Sequence, residues 1–238
     1  MLSKIKIKQY QQLQSKKFRQ KYGLFIVEGY KSVKEVLHSQ WPVEAILYTG
    51  DIDVEKIAPR KVDICSIEHK DFMSISQQKN PQGILAIAKY HTPELNKTHW
   101  QIAVDDINDP GNLGTIIRIA DWYGINTIYC SEKTVDHYNA KVIQSSMGSF
   151  LRVQVIRGDL ATLLNGKEVF ATVLNGESIR KLPETKQGVL LIGNEANGIS
   201  DRLLNQIKYT PITIPGGDNT ESLNAAMATA ICCERLMG

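Results

Sequence analysis

The sequence of 238 residues lacks the features that mark a secreted or membrane protein. No apolar run approaches the ~18–20 residues that a membrane helix needs. The first ten residues, MLSKIKIKQY, contain no apolar stretch of the signal-peptide type. The four cysteines show no paired metal-ligand spacing, and the adjacent Cys232 and Cys233 are a poor basis for a disulfide framework. These absences exclude the secreted, membrane and zinc-ribbon classes and predict a cytoplasmic globular protein without a metal.

Signatures of several enzyme classes are absent as well. The chain has no G-x-x-x-x-G-K-[ST] loop, which excludes the phosphate-loop NTPases. It has no G-x-G-x-x-G after an early strand, which excludes the usual dinucleotide and common methyltransferase loops. The G-x-S-x-G of α/β-hydrolases is also missing. The five histidines lack the spacing of metal ligands, so we expect them in loops and on the surface.

Positive charge is concentrated at one end of the chain. The formal net charge is +3, yet the first 21 residues contain seven basic residues and no acidic residue, which leaves −4 on the remainder. A basic segment gains affinity for a polyanion by releasing phosphate counterions. Charge alone is equally compatible with a solvated helix whose lysines aid solubility. The basic residues are Lys4, Lys6, Lys8, Lys16, Lys17, Arg19 and Lys21.

The first ninety residues predict a small α/β domain. A basic helix opens it, and short apolar runs then alternate with segments of helical spacing. The stretch Tyr90–His99 is polar, contains proline and has no periodicity, so we place the boundary there, between domains 1–92 and 93–238. The predicted strands are Leu24–Val27, Ala45–Tyr48, Val62–Cys65 and Ile84–Ala88, and the predicted helices after the basic one are Tyr30–Ser39 and Asp71–Ser76.

The second part alternates strands and helices throughout. Its strands are nearly continuous apolar runs, which is typical of a parallel sheet covered by helices on both faces. The predicted strands are Ile102–Val104, Thr127–Tyr129, Arg152–Val155, Glu168–Val173, Val189–Ile192 and Ile212–Ile214. The predicted helices are Leu113–Tyr123, His137–Ser145, Leu160–Leu164, Ser200–Gln206 and Leu223–Met237. The last of these is apolar most of the way round, which favours burial against another helix, including one of a second subunit.

Three of these strands end in unusual segments. They are Asp105–Gly124, Gly193–Ser200 and Pro215–Ala226. Each combines glycines, which let the backbone approach a ligand, with Asn, Glu or Ser side chains that orient one. Because ligands of open α/β sheets bind at the carboxyl ends of strands, these segments are the candidate site.

Each segment also has a purely structural interpretation. Arg118 lies on one helix face with Gly111 and Gly114, where an anion can approach closely, but it is also spaced to pair with Asp121 or to reach Asp105. The glycines of the second segment are compatible with an ordinary turn. In the third segment, Ser222 or Thr220 is a suitable residue to cap the last helix.

The three segments together resemble the SpoU (TrmH) family of RNA ribose 2′-O-methyltransferases, within the SPOUT class. The first motif of that family, D-P-x-N-x-G-x-x-x-R, matches residues 109–118. Its second motif, an apolar strand running into G-x-E-x-x-G, matches residues 191–198, and its third, I-P followed by S-L-N, matches residues 214–224. The third motif departs from the usual pattern, since Pro215 is followed by Gly216-Gly217-Asp218.

The resemblance implies a fold and an assembly that periodicity does not reveal. The family has a parallel sheet whose C-terminal segment forms a deep trefoil knot, here over about residues 188–238. The knot is the S-adenosylmethionine site, and the family acts as homodimers. We therefore expect a ribosomal-protein-like α/β substrate-binding domain followed by a knotted SPOUT domain that binds S-adenosylmethionine.

The resemblance also implies site residues. We expect a catalytic constellation in which Arg118 grips a phosphate or the developing alkoxide of a ribose 2′-hydroxyl, while Glu195 orients Arg118 or its own loop. The full constellation is Asn112, Arg118, Glu195, Ser222 and Asn224. The expected cofactor contacts, many of them through the backbone, come from Leu174, Gly176, Gly193, Ile214 and Leu223.

Residues 1 to about 90 resemble the substrate-binding domain often attached to this family, through Phe25-Ile26-Val27-Glu28-Gly29 and the turn Pro81-Gln82-Gly83. We expect this domain to bind structured RNA, with ribosomal RNA favoured over transfer RNA by family analogy. The expected RNA-binding residues are Lys16, Lys17, Arg19 and Lys21.

Two alternatives stay open at this point. One is a non-catalytic RNA-binding protein that keeps the fold, which the retention of all five catalytic positions disfavours. The other is an enzyme of the same fold that methylates a base, which the ribose-specific first and third motifs disfavour.

Overall fold

The computed structural model describes residues 2–57, 61–92, 98–183, 185–217 and 222–237. The chain forms two compact units, one of Met1–Pro93 with Tyr138–Leu151 and the other of Glu94–His137 with Arg152–Gly238. The segment Tyr138–Leu151, which the sequence-based division assigned to the second domain, therefore packs with the first. The predicted linker lies largely on residues 93–97, outside the described residues.

The described elements follow the predicted order closely. The helices are α1 (Lys4–Gln12), α2 (Lys16–Tyr22), α3 (Tyr30–His38), α4 (His69–Ile75), α5 (Pro110–Trp122), α6 (Ala140–Ser146), α7 (Leu160–Leu163), α8 (Asp201–Leu204) and α9 (Ala225–Met237). The strands are β1 (Leu24–Glu28), β2 (Val43–Tyr48), β3 (Asp63–Ser66), β4 (Ile84–Lys89), β5 (Trp100–Val104), β6 (Thr127–Cys130), β7 (Gln154–Arg157), β8 (Val169–Ser178), β9 (Gly188–Ile192) and β10 (Thr210–Thr213).

The first unit is built on a four-stranded sheet in the order β1-β4-β2-β3. Strand β4 runs antiparallel to both β1 and β2, and β3 runs parallel to β2. All five residues of β1 are buried, because helices cover both faces of the sheet. One of these faces includes Ile143 and Phe150 from the segment around α6.

The N-terminal basic segment forms two helices rather than the single predicted one. Arg19 explains the break, since its guanidinium donates hydrogen bonds to the carbonyls of Leu13 at 2.9 Å and Gln14 at 3.0 Å, where α1 has ended. Arg19 is only 3% exposed. The charged group of Arg19 joins the two helices and is less accessible than the neighbouring lysines, and its contact with RNA stays a prediction.

Helix α1 belongs to the core of the first unit and is not a free arm. Tyr10 and Leu13 are buried against the sheet. The Lys6 ammonium and the Tyr10 hydroxyl donate to Glu44 Oε1 at 2.8 and 2.9 Å. Burial acts to raise the pKa of Glu44, but these two hydrogen bonds together with the charges of Lys6 and Lys89 outweigh it and hold the pKa below its usual range.

The second unit has a six-stranded sheet in the order β10-β8-β9-β5-β6-β7. Every neighbouring pair is parallel, as predicted. All five residues of β9 are buried, and β5 beside it is buried at four of five positions. The carboxyl ends of the two strands lie together, since the amide of Asp105 donates to the carbonyl of Ile192 at 2.9 Å.

Strand β8 is longer than the predicted Glu168–Val173 and is interrupted. Ala171 pairs with Pro211 of β10, but the next pair joins Glu177 to Ile212. Residues 172–176 of β8 therefore have no partner on β10. Strand pairing resumes beside Gly176, where a Cβ atom would lie 2.5 Å from the carbonyl carbon of Ile212, so only glycine fits there.

Three further expectations concern the chain path, metals and membranes. The strand order does not test the trefoil knot, which stays a prediction. Among the residues that the structure describes, no group of three His, Cys, Asp or Glu side chains is placed to hold a metal ion. Likewise, no described helix has both the length and the apolar character needed to cross a bilayer.

Candidate active site

The first motif forms the N-terminal turn of α5. Asp109 caps this helix, since its Oδ1 accepts a hydrogen bond from the backbone of Asn112 at 2.9 Å. Pro110 is the first helical residue, a position where a missing N–H costs nothing. This cap fixes the first turn of α5 and with it the backbone position of Asn112.

The side chain of Asn112 joins all three motifs. Its Nδ2 donates a hydrogen bond to Glu195 Oε1 in the second motif. Its Oδ1 accepts a hydrogen bond from Nδ2 of Asn224 in the third motif at 2.8 Å. These partners lie 83 and 112 residues away in sequence. The structure therefore brings three of the five predicted catalytic residues into one chain of hydrogen bonds.

Asn224 has a second task as the cap of α9. Its Oδ1 accepts hydrogen bonds from the backbone of Ala226 at 3.0 Å and of Met227 at 3.3 Å. The helix consequently begins at Ala225 and not at the predicted Leu223. Ser222 does not cap it, and its exposed hydroxyl lies 3.5 Å from the Glu195 carbonyl oxygen. Thr220 lies outside the described residues.

The second motif is a tight turn after β9. The backbones of Asn194 and Gly198 exchange two hydrogen bonds, at 3.0 and 2.9 Å. A Cβ atom on Gly193 would lie 2.2 Å from the carbonyl carbon of Gly198 and from the nitrogen of Ile199. Gly193 is therefore required by the close approach of two backbone segments, so it has a structural role in this turn.

Two polar links beside this turn were not predicted from the sequence. Asn194 Nδ2 donates to the carbonyl of Asp106 at 2.8 Å. The buried carboxylate of Asp105 accepts from the backbone and the hydroxyl of Ser200 at 3.0 and 2.7 Å. Both links join the first segment to the second, and the adjacency of β5 and β9 is the signal from which they follow.

Arg118 is exposed and has neither of the surface partners that the sequence offered. Arg152 holds Asp121 through three hydrogen bonds of 2.8 to 3.1 Å. Asp105 is held by Ser200, and Glu195 bonds to Asn112 rather than to Arg118. Within the described part of the chain, Arg118 therefore makes no hydrogen bond or ion pair, and its charge is available to a ligand.

Four of the five expected cofactor residues lie on or just after three neighbouring strands, and Leu223 lies two residues before α9. Gly193 follows β9, Gly176 lies in the interrupted part of β8, and Ile214 follows β10. Leu174 and Leu223 expose their apolar side chains. Because the strands are parallel and adjacent, their carboxyl ends lie along one edge of the sheet. The roles of these residues stay a prediction.

Three buried cysteines of the second unit are held in the thiol form. Burial raises the pKa of Cys130, Cys232 and Cys233 to about 12. These thiols are therefore protonated at neutral pH, and a thiolate is the form that a nucleophile needs. The candidate chemistry rests on hydrogen-bonding groups and the Arg118 cation.

Comparison with known proteins gives consistent matches. Residues 99–234 match the SpoU rRNA Methylase family, and residues 4–86 match the MRM3-like substrate binding domain. A 23S rRNA (guanosine(2553)-2′-O)-methyltransferase, RlmP of Bacillus subtilis, is 30% identical over 98% of this chain and 96% of its own length.

Solved structures match along almost the whole chain. A putative RNA methyltransferase of the TrmH family from Porphyromonas gingivalis is 32% identical and has a TM-score of 0.85, covering 99% of this chain and 98% of that one. An AdoMet-bound rRNA methyltransferase from Sinorhizobium meliloti is 28% identical and has a TM-score of 0.86, covering 99% of this chain and 95% of that one.

Gly193→Ala is expected to destabilise the second unit, because the new methyl group meets backbone atoms that cannot move aside. The expected loss is about 2 kcal/mol or more, from the usual cost of overpacking. That loss lowers the Tm by roughly 4–8 °C for a chain of this size, measured by differential scanning calorimetry. The control is Gly216→Ala, whose Cβ meets no atom of the described residues within 4 Å. Equal Tm values for the two variants would contradict the close approach.

Proposed function

Because the chain belongs to the SpoU rRNA methylase family, we propose that it transfers the methyl group of S-adenosylmethionine to a ribose 2′-hydroxyl of ribosomal RNA. The observation that carries this proposal is the contact of Asn112 with both Glu195 and Asn224. That contact brings the three motifs together in one place.

The residues present fit S-adenosylmethionine. Gly193 and Gly176 let the ends of two adjacent strands pack closely against other backbone, which shapes the loops around the expected cofactor. Leu174 and Leu223 offer exposed apolar surface for an adenine ring. When bound, the cofactor supplies a methyl group on a sulfonium sulfur, which is reactive enough for direct transfer.

We assign the protein's part in the reaction to positioning and charge stabilisation. A guanidinium keeps its proton, so Arg118 is a binding group and not a base. It grips the phosphate next to the target ribose or the developing alkoxide, while the hydroxyl proton passes to water or to that phosphate. The exposed hydroxyl of Ser222 is available to the ribose. Asn112, Glu195 and Asn224 hold the three loops in register.

Arg118→Ala is expected to lower kcat/KM for methyl transfer by about 100-fold or more, since one preorganised donor to a developing charge is lost. The assay transfers tritiated methyl from S-adenosylmethionine to ribosomal RNA of a strain that lacks this gene. Cofactor affinity, measured by calorimetry, is expected to stay unchanged. Arg202→Ala, an exposed arginine on α8, is the matched control.

The product of the same assay separates the alternatives. Resistance of the labelled position to alkaline cleavage identifies a ribose 2′-O-methyl group. Label on an alkali-sensitive nucleotide would point to base methylation. Cofactor binding without transfer to any RNA would favour a binding protein, and near-normal turnover of Arg118→Ala would remove Arg118 from the site.

We further propose that α2 binds the RNA backbone through its lysines. Lys16, Lys17 and Lys21 are exposed, whereas Arg19 is buried. Removal of residues 1–21 is unsuitable as a test, because it also deletes Tyr10 and Leu13 from the core.

The double variant Lys16→Ala, Lys17→Ala is expected to weaken binding to ribosomal RNA and to reduce the slope of log K against log salt by roughly 1–2, about one per lost phosphate contact. Fluorescence anisotropy over a salt series measures this slope. The control is Lys61→Ala, Lys70→Ala, which removes the same charge from exposed positions of the same unit. Equal slopes for the two double variants would show that the lysines of α2 do not contact RNA and only face solvent.

We also propose a homodimer formed through α5 and α9. Trp122 is 84% exposed, and Met227 and Ile231 are exposed one turn apart on α9. The hydroxyl of Tyr123 donates to Glu234 at 2.8 Å, which places the end of α5 beside the end of α9. An exposed apolar surface of this kind marks an interface, and one self-complementary patch serves both subunits of a two-fold dimer.

Trp122→Asp is expected to shift the protein from dimer to monomer, because it places a charge in the apolar contact. Light scattering coupled to size exclusion measures the mass. Ile5→Asp provides the control, since Ile5 is an equally exposed apolar residue of the first unit. A monomeric wild-type protein, or a dimeric Trp122→Asp variant, would contradict the assignment of this surface.

A further inference from the structure

The first unit contains a pocket that the three motifs do not explain. Its volume is about 390 Å³, within the range of sites that take small ligands. The end of β1, the segment Gln77–Asn80 after α4 and the start of α6 line it. All of these residues belong to the first unit, so the pocket is complete within it.

Side-chain amides dominate the lining. An amide offers a carbonyl acceptor and two N–H donors in one plane. The edges of nucleobases present donors and acceptors side by side in the same way, and asparagine and glutamine recognise bases through paired hydrogen bonds. The amides are those of Gln77, Gln78, Asn80, Asn139 and Gln144.

Glu28 supplies a buried carboxylate to this pocket. It is 8% exposed and accepts hydrogen bonds from the Ser76 hydroxyl and, at 3.1 Å, from the backbone of Gln77. Burial raises the pKa of Glu28 despite these two bonds. Each carboxylate oxygen has lone pairs for a further donor. A ligand N–H group near Glu28 is therefore favourable, whereas a phosphate is not.

The two positive side chains of the pocket are exposed, whereas the Glu28 carboxylate is buried. Lys79 and Lys141 are lining residues that reach solvent, while Glu28 is the one acidic group among the described lining residues. A bound nucleotide would consequently place its base inwards and its phosphate outwards. RNA is recognised in this manner, through unstacked bases whose edges are read by side chains while cations hold the backbone.

We propose that this pocket binds one unstacked base of the RNA substrate, and that Glu28 selects a base with an exocyclic amino group. The amides of Gln78 and Gln144 read the rest of the base edge, and Lys79 contacts the adjoining phosphate. That the polymer is a methylation substrate rests on the function proposed above. The selection of the base rests on the pocket alone.

The test measures binding of three labelled pentaribonucleotides, of adenosine, cytidine and uridine, to the full-length protein by fluorescence anisotropy. The adenosine and cytidine oligomers carry amino groups and are expected to bind about fivefold tighter than the uridine oligomer, the worth of one additional hydrogen bond. Glu28→Gln is expected to abolish that preference, because it replaces one acceptor oxygen of the carboxylate by an NH2 group, which donates hydrogen bonds and cannot accept one from the amino group of a base.

Two exposed variants keep the proposal testable if Glu28→Gln folds poorly. Gln144→Ala and Lys79→Ala are each expected to weaken binding of the adenosine oligomer about threefold to tenfold, as loss of one hydrogen bond predicts. Their matched controls are Gln40→Ala and Lys61→Ala, exposed residues of the same unit outside the pocket. Both controls are expected to bind like the wild type.

The outcomes separate this proposal from the proposed function. Equal affinity of the wild type for all three oligomers, or pocket variants that match their controls, would overturn the base pocket even if the protein methylates ribosomal RNA. A base preference that depends on Glu28 and Gln144 would support the pocket even if no methyl transfer were found.

Discussion

The candidate site depends on one side-chain amide, that of Asn112. It donates to Glu195 and accepts from Asn224, and Asn224 in turn caps the last helix. An amide can do both at one position, whereas an ionised carboxylate has no donor and an apolar group has neither. Each such hydrogen bond contributes only about 1 kcal/mol to stability. The main effect of these hydrogen bonds is geometric, because they hold three segments that are distant in sequence in one defined arrangement.

This amide can act only because the backbone beneath it is fixed. The ends of β5 and β9 are bonded to each other, and Asp105 extends that contact by holding Ser200 beyond the turn. Gly193 lets the turn close against its own backbone. The parallel sheet therefore supplies the register, the glycine supplies the space, and the polar side chains supply the final alignment. Preorganisation of this kind is what a transfer reaction needs when the cofactor itself provides the reactive group.

The sequence predicted the order of elements and the parallel sheet because alternation of apolar runs reports burial directly. It indicated the three candidate segments because they follow strands of one parallel sheet, whereas the individual site residues came from the resemblance to the family and stay predictions. It could not predict that Arg19 is buried while the neighbouring lysines are exposed. The hydrogen bonds of Arg19 to the carbonyls of Leu13 and Gln14 depend on the fold, and a run of basic residues gives no indication of them. The interruption of β8 and the packing of Tyr138–Leu151 with the first unit also depend on contacts distant in sequence.

The availability of Arg118 follows from how the nearby acids are occupied. Asp121 lies one helical turn away, at a spacing that favours an ion pair with Arg118. Arg152 takes that carboxylate instead, in a planar contact that a lysine cannot reproduce. Asp105 is buried with Ser200, and Glu195 is bonded to Asn112. Three acids near the site are thus satisfied by other partners, and among the residues that the structure describes none of them pairs with Arg118, which leaves its charge for the anionic substrate that we propose. The contact of Arg152 with Asp121 therefore occupies the carboxylate that the helical spacing offers to Arg118.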